Sequence, residues 1–162
     1  MNIWKRVTQL SIGQLFKLSL LFLSHPFLIL PTLRATKKTM QLCDERFDKS
    51  HHKSNQANAF RHALWNILIC KNALKVTKNK QKSVFWAQKV GDLYEKVTQN
   101  EKMDKAMDLH NNSVGRILFL NLLEKNEEEI LSFLAFKTQS SQKANTIADM
   151  AKYRNELVYI ED

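Results

Sequence analysis

The chain has 162 residues, 44% of them hydrophobic, with three Gly, two Pro, two Cys and a formal charge of +9. That composition suits one ordered domain with a sizeable core; no segment is low-complexity, no repeat of solenoid period occurs, and two lone cysteines make no disulfide framework. The charge excess is N-terminal, since residues 1–56 hold nine Lys or Arg against Asp44, Glu45 and Asp48. A basic and apolar N-terminal region suits an anionic membrane surface, met through residues 1–38. No RNP-like pattern, helix-turn-helix signal or aromatic-and-basic stripe points to specific nucleic-acid recognition.

Residues 1–33 form an apolar, basic-flanked first unit. Leu18 to Leu33 carry no formal charge, but Ser24-His25-Pro26 interrupts the run and Pro31 closes it, so no clean span of about twenty apolar residues exists. The unit reads as helices that either pack on the core or dock on a membrane surface, flanked by Lys5, Arg6, Lys17, Arg34, Lys37 and Lys38. No small-x-small cleavage site follows, so the expected location is cytoplasmic, peripheral at the membrane.

Residues 34–162 read as a helical domain. Met40, Cys43 and Phe47 fall at helical spacing, and Ser50-His51-His52-Lys53-Ser54-Asn55 is a polar loop. A helix is expected from about Asn55 to Val76. Ser83 is a candidate N-cap for a helix over Val84 to Thr98, and Met103 to Leu123 makes another. Glu124 to Glu129 gives an acidic first turn before Ile130, which the helix dipole favours. Lys137 to Asn145 is polar and loop-like; a last helix begins near Asn145, and Leu157 to Ile160 ends it or forms an extended tail. From Thr32 onwards only Gly91 and Gly115 punctuate the chain. The expectation is therefore an all-α, single-domain bundle of about six to seven helices with a buried polar layer.

The polar layer follows from angle. At 3.6 residues per turn, Asn58, Arg61, His62, Trp65 and Asn66 share an arc about 140° wide, opposite Ala59, Phe60, Ala63, Leu64 and Ile67. A solvated face would carry Lys, Glu and Gln; this one carries Asn, His and Arg. On the later helix, Asp108, Asn111, Asn112, Gly115 and Arg116 repeat the arc position by position: Asn112 answers His62, Gly115 answers Trp65, and Arg116 answers Asn66. Gly115 reads as a point of close helix approach. Between them, Gln88, Gly91, Asp92 and Glu95 share one helix face.

Three helices thus offer His62, Glu95 and Asp108, which can serve as metal ligands for a divalent ion or as catalytic acid and base groups, with Glu95 raised in pKa by burial. Asn58, Arg61, Trp65, Asn112 and Arg116 are the candidate substrate-binding residues: the arginines for a phosphate or carboxylate, the asparagines for orientation, Trp65 for stacking. The alternative is structural. The same residues can satisfy one another in a buried network, since unpaired polar groups in a core cost a few kcal/mol. His110 points away from the stripe, and His51 and His52 sit in the loop feeding the first helix, within reach of its N-terminal end.

Asn-Ala-Phe-Arg-His-Ala-Leu-Trp-Asn at 58–66, Asp-Leu-Tyr-Glu at 92–95 and Met-Asp-Leu-His-Asn-Asn-Ser-Val-Gly-Arg at 107–116 resemble a bacterial helical domain family of unknown function, found as small stand-alone proteins and at the ends of secreted or toxin-like proteins. The resemblance covers about residues 55–120. It implies an α-helical domain whose signature residues are Asn58, Arg61, His62, Trp65, Glu95, Asp108, Asn112, Gly115 and Arg116, and it implies no activity. The relatives' middle block often reads His-Glu where this chain has Tyr94-Glu95, which removes one candidate ligand or base. A looser likeness is to HD-type metal phosphohydrolases, whose order of His, His-Asp and later Asp is followed approximately by His62, Tyr94-Glu95 and Asp108. Together these readings imply a metal-assisted or acid/base hydrolase acting on a phosphate ester, lipid or cell-envelope substrate; the alternative is a non-catalytic binding or membrane-docked protein.

Overall fold

The computed structural model describes residues 12–98 and 101–161. Among them run seven α-helices: α1 (Ile12–Leu23), α2 (Pro26–Phe47), α3 (Gln56–Thr77), α4 (Lys80–Val97), α5 (Lys102–Asn121), α6 (Glu127–Gln139) and α7 (Ile147–Met150). A single 3-10 turn, Ser50–His52, precedes α3, and strands β1 (Gln142–Lys143) and β2 (Val158–Tyr159) pair in parallel near the C-terminus. The fold is a single all-α domain. Lys5 and Arg6 lie outside the described residues.

Local chemistry sets the helix ends. Asn55 caps α3 by accepting from the Asn58 N–H, and Asn126 with Glu129 forms a reciprocal capping box at α6. The start of α4 differs from the sequence expectation: Asn79, not Ser83, is the cap, accepting from the Lys82 N–H. Ser83 lies one turn inside, where its hydroxyl donates to the Asn79 carbonyl. Helix α2 also starts earlier than expected and runs through Pro31. The chain breaks instead at Ser24-His25, and Pro26 occupies the first turn, where a missing N–H is harmless. The polar stretch after residue 137 splits into the end of α6 and β1, and the Leu157–Ile160 tail is the extended strand β2.

Helix α3 runs through the centre, packed on α2, α4, α5 and α6. Phe60, Leu64 and Ile67 from α3, Phe119 from α5, Leu134 from α6 and Trp86 from α4 make the main core. Each such side chain contributes roughly 1.5–3 kcal/mol by leaving water. Two tryptophans tie this core to α2: the Trp86 indole N–H donates to Thr32 Oγ1, and the Trp65 indole N–H donates to Thr36 Oγ1, both at 2.9 Å. Gly115 lets α5 close on α3, because a Cβ there would lie 2.8 Å from Ala63 Cα and nearer still to the Ala63 carbonyl oxygen. That is the close approach the sequence suggested, although Gly115 meets Ala63 and not Trp65. A smaller cluster of Met107, Ala144, Met150 and Val158 seats the C-terminal segment.

The α1–α2 hairpin is different. Phe27 is 81% exposed, Leu23 73% and Phe16 61%, with Leu20, Leu30 and Leu33 about half exposed. Arg34 and Lys37 continue the same exposed side of α2 one turn further on. No helix among the described residues is long and apolar enough to cross a membrane.

Candidate functional site

The sequence-predicted stripes meet. Helices α3, α4 and α5 bring His62 (3% exposed), Glu95 (0%) and Asp108 (4%) together in the interior. His62 Nε2 lies 3.1 Å from Asp108 Oδ1, and His62 Nδ1 lies 3.7 Å from Glu95 Oε1. Each residue offers one ligand-type atom within 4.8 Å of the other two.

Two arginines fix the tautomer of His62. Arg116 can only donate, and its Nη1 donates to Asn66 Oδ1 at 3.1 Å. Asn66 must then present its Nδ2, which donates to Asn112 Oδ1 at 2.6 Å and to the His62 carbonyl at 3.2 Å. With its oxygen so placed, Asn112 can only accept from His62, so His62 Nδ1 carries the hydrogen of the 3.1 Å contact. On the other side of the ring, Arg61 Nη2 donates to His62 Nε2 at 2.7 Å. The resting imidazole is neutral, protonated on Nδ1, with the Nε2 lone pair turned to Arg61 and Asp108. A lone pair and a carboxylate oxygen 3.1 Å apart call for positive charge between or beside them. Arg61 supplies it at rest; a proton or a divalent cation would supply it otherwise.

The remaining predicted residues take less direct places. Asn58 is 5% exposed, one turn before His62, and its Oδ1 has no hydrogen-bond partner among the described residues. Asn112 Nδ2 is likewise buried without one, next to the surface that Gly91 leaves bare. Arg116 touches the cluster through Asn66, and burial holds its pKa below the ordinary arginine value, with Asp92 opposing the shift. Trp65 is half-buried, edge-on to Tyr94 with ring centres 5.4 Å apart, and its indole is committed to Thr36. Asp92 is exposed, whereas Glu95 one turn later is buried.

A family comparison gives the context. The profile of DUF6973, described as a domain of unknown function, matches residues 19–142. The chain belongs to the DUF6973 family. The DUF6973 span includes every residue of the His62 cluster and stops before β2. Comparison with curated proteins and with solved structures found no match.

Several partnerships in the fold carry no clear signal in the sequence. Asn111 completes the C-terminal segment: its Nδ2 donates to the Val158 carbonyl at 2.8 Å, and its Oδ1 accepts from the Val158 N–H at 2.9 Å. A side-chain amide thus pairs with a strand as a backbone would. His110 meets the Glu156 carbonyl at 2.8 Å. Arg61 is shared more widely than expected: its Nη1 donates to the His51 carbonyl at 2.6 Å and to His52 Nδ1 at 3.3 Å. Asp44, from the last turn of α2, accepts from His51 Nε2 at 2.9 Å. The cysteines are free and buried, and burial pushes Cys43 and Cys70 up to about 12, far from thiolate chemistry. A cleft of about 490 Å³ bordered by Arg46, Phe47, Asn55, Ala57, Tyr159 and Glu161 opens beside the N-terminal end of α3 and takes in none of His62, Glu95 or Asp108.

Proposed function

We propose that this protein is a hydrolase whose chemistry centres on His62, Glu95 and Asp108, acting on an ester that carries an anionic group, a phosphate ester first among them. The supporting observation is the oriented imidazole: His62 Nδ1–H is engaged by Asn112, which leaves Nε2 as the proton-accepting atom beside Asp108 and Arg61. In that arrangement Nε2 takes a proton from the attacking water. Asp108 and Glu95, on the two sides of the ring, stabilise the imidazolium that forms, and general-base assistance of this kind is worth about 10²–10⁴ in rate. Arg61, half-buried at the rim, would turn its fork onto the anionic group of the substrate. Asn66, Asn112 and Arg116 hold the ring, and Asn58 Oδ1 would orient the substrate or the water. A divalent ion bound at the same three residues gives the metal-assisted form of this reading, with imidazole and carboxylate oxygens suited to a borderline cation.

The test uses p-nitrophenyl phosphate, bis-p-nitrophenyl phosphate and p-nitrophenyl butyrate, with and without chelator, on the full chain. Turnover that falls at least ~10²-fold in His62→Gln and Asp108→Asn supports the site. Loss on chelation selects the metal-assisted form. No turnover by the wild type on any of the three, with His62→Gln only less stable, overturns the enzyme reading.

A second reading rests on the α1–α2 hairpin: a non-catalytic protein docked peripherally on an anionic, cytoplasmic membrane face, whose polar layer is structural. Six large apolar side chains half exposed or more within one hairpin, followed by Arg34 and Lys37, fit a surface-bound element. Flotation with vesicles containing anionic lipid, lost in Phe27→Glu, would support it; a chain that stays in the soluble fraction overturns it.

A further inference from the structure

A second histidine and carboxylate cluster lies on the other side of Arg61. Asp44 comes from the end of α2, and His51 and His52 come from the 3-10 turn; the chain reverses between them at Asp48, whose φ is 50°. The two imidazole rings stack with centres 4.1 Å apart. His51 is fully buried, and its Nε2 contacts Asp44 Oδ1 at 2.9 Å. A nitrogen and a carboxylate oxygen at that distance need a hydrogen or a cation between them, and the ring's other nitrogen, the buried Nδ1, has no hydrogen-bond partner among the described residues. A cation between Nε2 and Asp44 Oδ1 would take a lone pair from each, with Nδ1 keeping the ring hydrogen.

We infer that Asp44, His51 and His52 form a binding site for a divalent transition metal of the Zn²⁺ class, separate from the His62 cluster. The three side chains each offer a ligand atom within 4.8 Å of the others. Bonds of about 2.0–2.2 Å would set such atoms roughly 3.4 Å apart, a closure that one short turn can make. The donor set, two imidazoles and one carboxylate, is the borderline mixture that Zn²⁺ accepts. Both histidines enter it neutral at ordinary pH, because burial holds them below the usual histidine value, His52 at about 4. The Asp44 side chain is 57% exposed, so water can complete the coordination from the open side. The competing cation is Arg61, which donates to His52 Nδ1 at 3.3 Å; a metal there takes over that lone pair and leaves Arg61 its bonds to the His51 carbonyl and His62. The site is thus a clasp on the loop that leads into α3 and that Arg61 reaches back to hold, and it stands whether or not the His62 cluster is catalytic.

The experiment is a Zn²⁺ titration of the full chain after chelator stripping, read by calorimetry, with Co²⁺ absorption as the report on coordination. His51 is too buried for a clean substitution, so Asp44→Asn and His52→Ala are used, with far-ultraviolet circular dichroism confirming the fold. Wild type binds; each variant weakens binding at least ~10-fold, and the His62→Ala, Asp108→Asn protein still binds the metal. No uptake by wild type, or equal affinity in Asp44→Asn and His52→Ala, overturns the proposal. So does loss confined to the His62→Ala, Asp108→Asn protein, which would place the metal in the other cluster.

Discussion

Two histidine–carboxylate clusters share one arginine, and they differ in how the fold holds them. His62, Glu95 and Asp108 come from three packed helices and are almost wholly buried, with the imidazole fixed through Asn112, Asn66 and Arg116. Asp44, His51 and His52 come from one helix end and a single turn, with the carboxylate in water. Geometry in the first is set by the whole core; in the second it is set by a few residues of loop. A rigid interior cluster suits chemistry, which needs its groups placed before the substrate arrives. A loop cluster suits binding that tightens a flexible connection.

Removing the shared cation tests the comparison hardest. Arg61→Met takes the guanidinium away from the imidazole that Asp108 and Glu95 flank and releases the loop, so a loss of about 1.5–3 kcal/mol is expected, the range for hydrogen bonds made by a charged group. Urea denaturation measures it; a loss under about 1 kcal/mol would mean that the two clusters are held independently of Arg61.

Next comes the helix contact beneath the interior cluster. Gly115→Ala drives a methyl group into the Ala63 backbone and should cost about 1–3 kcal/mol while shifting α5 against α3. The shift disturbs the His62–Asn112 bond, so the variant should lose His62 chemistry out of proportion to its stability. Zn²⁺ binding at the loop should be untouched, since neither α4 nor α5 contributes to it. Equal loss in both would erase the distinction between core-held and loop-held clusters.

The Gly115 contact is legible in the amino-acid sequence, and so is most of the interior cluster. The angular register of the two stripes sets His62 against Asn112 and Asn66 against Arg116, which bond in the fold. The same register sets Arg61 against Asn111 and Trp65 against Gly115, whereas Asn111 pairs with Val158 and Gly115 meets Ala63. Helical periodicity carries such information because residues on one face must meet whatever that face meets. It also places Glu95 inside, but it does not separate Glu95 from Asp92, which lies one turn earlier and stays exposed. The loop cluster is hidden for a physical reason. Asp44 reaches His51 only through the reversal at Asp48, and no periodicity crosses a turn. The partnership of Asn111 with β2 is hidden likewise, since a two-residue strand has no pattern to read.

A smaller effect isolates the orienting chain. Asn66→Ala removes the donor that fixes Asn112 and should cost about 1–2 kcal/mol. Its specific signature is in ¹⁵N NMR of the histidines: wild-type His62 shows a protonated Nδ1 and an unprotonated Nε2, and the variant shows a mixture of tautomers. His52 signals should not move. An unchanged His62 tautomer in Asn66→Ala would mean that Arg61 alone sets the ring.

The smallest effect separates the clusters by acid. His51 and His52 are both held below the ordinary histidine value; for His52 the causes are burial first, then His51 and Arg61, against a weaker opposing pull from Asp44. In the unfolded chain these groups take up a proton near pH 6.5; in the folded chain His52 does so only near 4. Between those values the unfolded state binds more protons, so stability rises with pH there. The contribution is complete above about pH 6.5 and drains away as pH falls towards 4. Other carboxylates titrate in the same window, so the difference between wild type and His52→Gln is the quantity to read. That difference in unfolding free energy should be flat above about pH 7 and shift steadily in favour of His52→Gln as pH falls from 6.5 to about 4. A difference flat across the whole range would mean that the loop stays hydrated enough to accept the proton, and a loop so wet would not hold His51 and His52 as neutral, ready ligands.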